Sequence, residues 1–177
     1  MPEDTPEVKE EEKIEIRNKV AGNPNDVEIT NQMLENYFAS TAISNIRNSK
    51  SPSAANKHKI FQVTLLLSDS PEAKAYAETK KDLFDREGEV PSDPDDAEKV
   101  QYQKVINRKN NPEAYEELME LTEQNSGIVV TKPLLPMDDF EGCSEADFSG
   151  SAWIFDWRQT AKEIREIENP KKNPKTD

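Results

Sequence analysis

Ile60-Phe61-Gln62-Val63-Thr64-Leu65-Leu66-Leu67 is the stretch on which the fold turns. It is β-branched, aromatic and almost continuously apolar. Such a run fits a central strand buried on both faces. With this strand at the centre, the rest of the chain is expected to supply a small sheet and the helices that cover it.

Upstream, Asn48 to Asn56 is rich in Ser, Asn and Ala, contains Pro52, and reads as a loop. Before it, Met33, Leu34, Tyr37, Phe38, Ile43 and Ile46 recur near the helical period, with Thr30 placed to cap the start. This predicts one helix from Thr30 that frays near Asn48. Ala21-Gly22-Asn23-Pro24-Asn25 breaks the chain. Ile14, Ile16 and Val20 suggest a short strand before the break.

Downstream, Ser70-Pro71, Asp93-Pro94 and Asn111-Pro112 carry one shared signature of a helix start. The first side chain accepts from an orphan backbone N–H, and proline at the first helical position lacks the N–H that would be orphaned. Acids follow at Glu72, Asp95, Asp96 and Glu113, where they complement the helix dipole. Gly127 to Thr131 reads as a strand after a helix stop at Asn125-Ser126-Gly127. Lys132 to Gly150 reads as irregular, with Pro133 and Pro136. Trp157, Ala161, Ile164 and Glu168 mark one line of a final helix.

The expected class is therefore α+β, with about three strands packed by four to five helices and charged tails at both ends. The expected division is an acidic N-terminal tail at 1–12, one α+β domain at 13–168, and a polar, basic C-terminal tail at 169–177. Residues 1–12 hold six acids and one base. They bury too little apolar surface to offset their ordering entropy, so alone they are expected to be disordered.

Composition narrows the function. The 177 residues carry 36 acids against 23 bases, a net charge of −13, with one histidine and one cysteine. That charge opposes binding to nucleic acid or to an anionic membrane surface. A lone Cys143 forms no internal disulfide, and Met1-Pro2-Glu3-Asp4 opens without a basic or apolar leader. A cytoplasmic location is expected, or incorporation into a particle assembled in the cytoplasm.

Catalytic candidates are few. His58 lies between Lys57 and Lys59 with no orienting partner in sequence, and reads as a surface residue. Cys143 sits among Glu141 and Glu145, anions that favour the neutral thiol over the nucleophilic thiolate. Phosphate-loop, dinucleotide-fold, nucleophile-elbow and zinc-protease motifs do not occur. Asp138, Asp139, Glu141, Glu145 and Asp147 form an acidic loop whose spacing does not match a calcium hand. No enzyme activity, no cofactor and no metal site are expected.

Three features point to partners instead. The acidic tail offers Glu10, Glu11 and Glu12. From Asn36 to Ser68 no acid occurs, and Arg47, Lys50, Lys57 and Lys59 make a basic island. It fits phosphate, or the acidic tail of a neighbouring copy. Asp138, Asp139 and Glu141 offer a partner-facing acidic loop. Trp153 and Trp157, four residues apart, anchor the last helix to the core, or form a docking face if that element projects outward.

The resulting expectation is a non-enzymatic structural or assembly protein of a larger complex, such as a component of a virus or phage particle. Its partners would be protein subunits of that assembly, or a basic protein surface. The alternative is an acidic inhibitor or nucleic-acid mimic that occupies a basic groove of a nucleic-acid-processing enzyme. Asp69 to Glu123 motivates it with 16 acids, although 8 bases interrupt the array.

Overall fold

Residues 23–90 and 104–170 are described by the structure, a computed structural model. The chain enters through β1 (Asp26–Thr30), which pairs antiparallel with the distant β2 (Asn125–Thr131). Val27 faces Val130 and Ile29 faces Ile128 in this register. Ile29, Ile128 and Val130 are buried while Glu28 and Val129 are exposed, so the period of two gives one inward face. The register shifts between Ile29 and Thr30. Gly127, in β2 near that irregularity, has φ of 82°, a conformation that a Cβ would strain.

Thr30 ends β1 and caps α1 (Asn31–Ala39), its hydroxyl accepting from the Met33 N–H at 3.2 Å. The apolar stripe from Met33 to Ile46 is carried by two helices rather than one. Ser40 is extended, with ψ of 123°, and its hydroxyl caps α2 (Thr41–Asn48). A competing cap thus interrupts a stripe that is otherwise helical.

The decisive stretch is a helix, not a strand. It lies in α3 (Ala54–Asp69), capped by Ser53. Ile60, Val63 and Leu67 are buried, at helical spacing, while Phe61, Leu65 and Leu66 are exposed. Three apolar side chains on the outer surface fill the gaps of a helical stripe, so the run resembles a two-sided strand. Burying each of the inward three stabilises the fold by about 1.5–3 kcal/mol.

Two of the proline-marked starts are as expected. Ser70 accepts from Ala73 N–H at the head of α4 (Pro71–Glu87), and Asn111 accepts from Ala114 N–H at the head of α5 (Pro112–Glu123). Between these helices Glu89 and Val105 exchange both backbone hydrogen bonds at 2.9 Å. Gly88 makes that clasp possible, since a Cβ there would lie 2.4 Å from the Phe84 carbonyl oxygen and 2.7 Å from Lys104 Cβ. The Asp93-Pro94 start, the Ile14 to Val20 strand and the 1–12 tail lie outside the described residues, as does the C-terminal tail from 171 on.

The segment expected to be irregular holds structure. β3 (Leu134–Pro136) runs parallel to β4 (Asp156–Arg158), a single 3-10 turn spans Met137–Asp139, and α6 (Glu145–Ser151) follows. A capping box starts α6: Ser144 Oγ accepts from Asp147 N–H while Asp147 accepts from Ser144 N–H. Trp157 belongs to β4 and not to the final helix, α7 (Ala161–Glu168), which Thr160 caps. The class is α+β. The three-stranded sheet is replaced by two two-stranded ladders, with seven α-helices among the described residues.

The main core gathers Tyr37, Ile43, Ile46, Ile60, Val63, Leu67, Val130, Leu135, Ile154 and Phe155, with Trp153 and Trp157 packed against it. A smaller cluster forms around Leu83, Ile106 and Ala114. Among the described residues no helix is long and apolar enough to cross a membrane.

Candidate functional site

The acids of the 138–147 loop turn towards the protein. Asp139 Oδ2 accepts from Ser53 N–H at 2.8 Å and from Asn56 Nδ2 at 2.7 Å, at the first turn of α3. That turn has no acid of its own, so a distant carboxylate supplies the anion its dipole favours. Ser51 completes the clamp: its hydroxyl donates to Asp139 O and accepts from Glu141 N–H. Burial opposes ionisation of Asp139, but the Ser53 and Asn56 hydrogen bonds outweigh it and hold the carboxyl below its usual range. Asp147 is held low chiefly by Ser144 N–H, then by Asn45 Nδ2, which donates to it at 2.9 Å from α2. Asp138 and Glu141 remain exposed. Burial and the Asp147 charge push the Cys143 thiol up, away from the thiolate.

The two tryptophans also face inward. Trp157 is half-buried among Phe140, Phe148 and Phe155, edge-on to each at 4.8–5.8 Å. Its Nε1 donates to the buried Ser151 hydroxyl at 3.0 Å. Trp153 packs edge-on against Tyr37 with ring centres 6.5 Å apart.

The basic island behaves differently. A groove of about 260 Å³ opens between α2 and α3, lined by Ile46, Arg47, Asn48, Lys57, Ile60, Phe61 and Thr64. Its floor is apolar and its rim carries two cations and no carboxylate. Arg47 lies over the rings of Tyr37 and Phe38, at 5.7 and 5.5 Å from their centres. Beneath it, Thr64 donates to Ile60 O, so the buried Tyr37 hydroxyl is the donor in its 2.7 Å bond to Thr64. Burial raises the Tyr37 phenol above its ordinary range. Lys57 Nζ donates to the Lys50 carbonyl at 2.8 Å. Among the described residues neither Arg47 nor Lys57 forms an ion pair with a carboxylate. Lys50 is exposed beyond the loop. Lys59 faces the other way, donating to Leu134 O and lying 3.9 Å from Glu168.

An apolar surface continues from the groove. Phe61 is 59 % exposed, Leu65 44 % and Phe38 44 %. Phe61 and Leu65 are four residues apart and so share one face of α3. Sequence assigned none of the three to a binding surface: Phe61 and Leu65 lie in the run read with the wrong period, and Phe38 in the helical stripe read as apolar core.

The structure thus brings Arg47 and Lys57 together at one groove and separates them from Lys59. Asp139 is brought to α3 as a cap, and Trp153 and Trp157 to the core. Glu10, Glu11 and Glu12 lie outside the described residues. On α4 and α5 the acids interleave with bases, as in the Lys81–Asp85 and Arg86–Glu117 pairs. No protein-family model, curated protein or solved structure matches the chain.

Proposed function

We propose that this protein is a non-enzymatic binding component of a larger assembly, and that the α2–α3 groove receives an acidic segment of a protein partner. The observation that carries the reading is the pairing of an apolar floor with Arg47 and Lys57, in a chain whose net charge is −13. Cations that form no ion pair among the described residues, beside exposed Phe61, Leu65 and Phe38, favour a ligand that is both anionic and apolar. Size supports a peptide over a small molecule. About 260 Å³ lies below the ~300–1,000 Å³ typical of small-ligand pockets, and accommodates one or two side chains. Residence in a virus or phage particle is one setting for such a component.

The test uses fluorescence anisotropy of the full chain with a synthetic peptide of alternating Glu and Leu. Binding in the micromolar range is expected, weakened at least tenfold by Arg47→Glu with Lys57→Glu. A Lys/Leu peptide should bind more weakly. Equal binding of both peptides, or no effect of the double reversal, removes the groove as the docking site.

A further inference from the structure

Resting on that docking reading, we infer that the acidic partner is a second copy of this chain, which lays the exposed face of its α5 into the α2–α3 groove. α5 holds five acids and no base. One of them, Glu117, is taken by Arg86 of α4. Glu116, Met119, Glu120 and Glu123 are exposed, and their spacing puts all four on one face of the helix. Met119 therefore stands among three carboxylates, none of which forms an ion pair among the described residues. An acidic helix face with an apolar side chain at its centre is the chemical counterpart of the groove.

Two features favour this face. Glu120 and Glu123 lie in the last turn of α5, at the negative end of the helix dipole, and that turn has no base of its own. A cation brought by a partner relieves the repulsion, and the rim of the groove brings Arg47 and Lys57. Met119 is unbranched and adaptable, so it suits an irregular floor formed by Ile46, Ile60 and Phe61. The net charge of −13 repels copies at long range. At ~0.15 M salt that repulsion is screened beyond about 8 Å, while opposite charges in the contact still attract.

The groove and the α5 face share no residue, so each copy carries both halves of the contact. Two copies that make both contacts at once form a two-fold dimer. Where only one forms, the remaining groove and face recruit further copies. One helix face in one groove is smaller than a standard interface of ~1,600 Å², so each contact is weak, with a dissociation constant of roughly 0.1 mM.

The experiment is sedimentation velocity of the full chain at roughly 0.01–1 mM, a range that brackets such a contact. Mass rising with concentration is expected. A groove variant carries Arg47→Glu with Lys57→Glu. A face variant carries Glu116→Gln, Glu120→Gln and Glu123→Gln, near-isosteric changes at exposed positions that keep the fold. Each variant alone should associate at least tenfold more weakly. Mixed together, they should recover association as one-to-one pairs, because the intact face of the first meets the intact groove of the second. A full chain that stays monomeric, or a face variant that associates like the unaltered chain, overturns the inference. A mixture of folded variants that stays monomeric does the same. In each of these cases, groove-dependent binding of the Glu/Leu peptide leaves the docking reading standing. Failure of that peptide to bind the face variant, whose groove is intact and free, removes the docking reading and this inference with it.

Discussion

The acidic loop at 138–147 and the basic island at 47–59 are two charged stretches of opposite sign, and they use their charges in opposite ways. Asp139 and Asp147 turn inward and become caps and clamps. Arg47 and Lys57 stay at the rim of a groove beside exposed apolar side chains. The two regions are also joined, because the acids hold the helices from which the bases project. Asp139 fastens the start of α3 and Asp147, through Asn45, fastens α2. A charge cluster in sequence therefore does not identify a binding surface. What separates the two cases is that the acids accept hydrogen bonds from neighbouring elements, whereas Arg47 and Lys57 form no ion pair among the described residues.

The largest effect should come from the inward region. Trp157→Ala removes the centre of the Phe140, Phe148 and Phe155 cluster and should cost about 3 kcal/mol in urea denaturation. A loss below about 0.5 kcal/mol would place Trp157 with the outward-facing groups. Next, Asp139→Ala removes two hydrogen bonds from the head of α3 and should cost about 2 kcal/mol. The same variant should also weaken Glu/Leu peptide binding, since the clamp positions the groove. Intact binding in a destabilised protein would show that the two regions are independent.

Acid should discriminate between the regions as well. Asp139 and Asp147 are held below their ordinary values in the folded protein. Their contribution is therefore complete above the unfolded carboxylate pKa of about 3.9 and is lost as pH falls through the lower folded values. Replacing both with Asn should flatten the decline of stability below about pH 4. An unchanged acid limb would mean that other carboxylates dominate it. The smallest effect on stability belongs to the outward region. Phe61→Ser should shift stability by no more than about 0.5 kcal/mol while weakening peptide binding several-fold. A large destabilisation would make Phe61 a core residue after all.

Much of the local structure was legible from backbone chemistry. Thr30, Ser70 and Asn111 each accept the hydrogen bond that their positions imply. The β-branched run Ile128 to Thr131 after Gly127 gave β2 within two residues of its observed start, and Asn125-Ser126-Gly127, read as a helix stop, belongs to the strand. The failures have physical causes. Val27 and Ile29 alternate over too few residues to stand out, so β1 was missed. Ser144 and Asp147 hold a capping box, but inside a stretch marked by prolines it went unread. The error at Ile60 to Leu67 teaches most. A strand and a helix bury different subsets of a continuous apolar run, and sequence cannot say which members face water. Phe61, Leu65 and Leu66 disguised the helical period because they are apolar on the outside. Two of them flank the groove, so the residues that hid the fold are those that mark the candidate site.

The Glu89–Val105 clasp gives the molecule a practical seam. Two backbone hydrogen bonds fix both ends of the intervening stretch at neighbouring points, and Gly88 lets the strands approach. Sequence grafted between residues 91 and 103 leaves and returns through this fixed gate. Doubling the length of such a graft costs only about 0.6 kcal/mol in closure entropy. An epitope or affinity handle placed there would start and end at that backbone pair and would replace no residue that lines the groove.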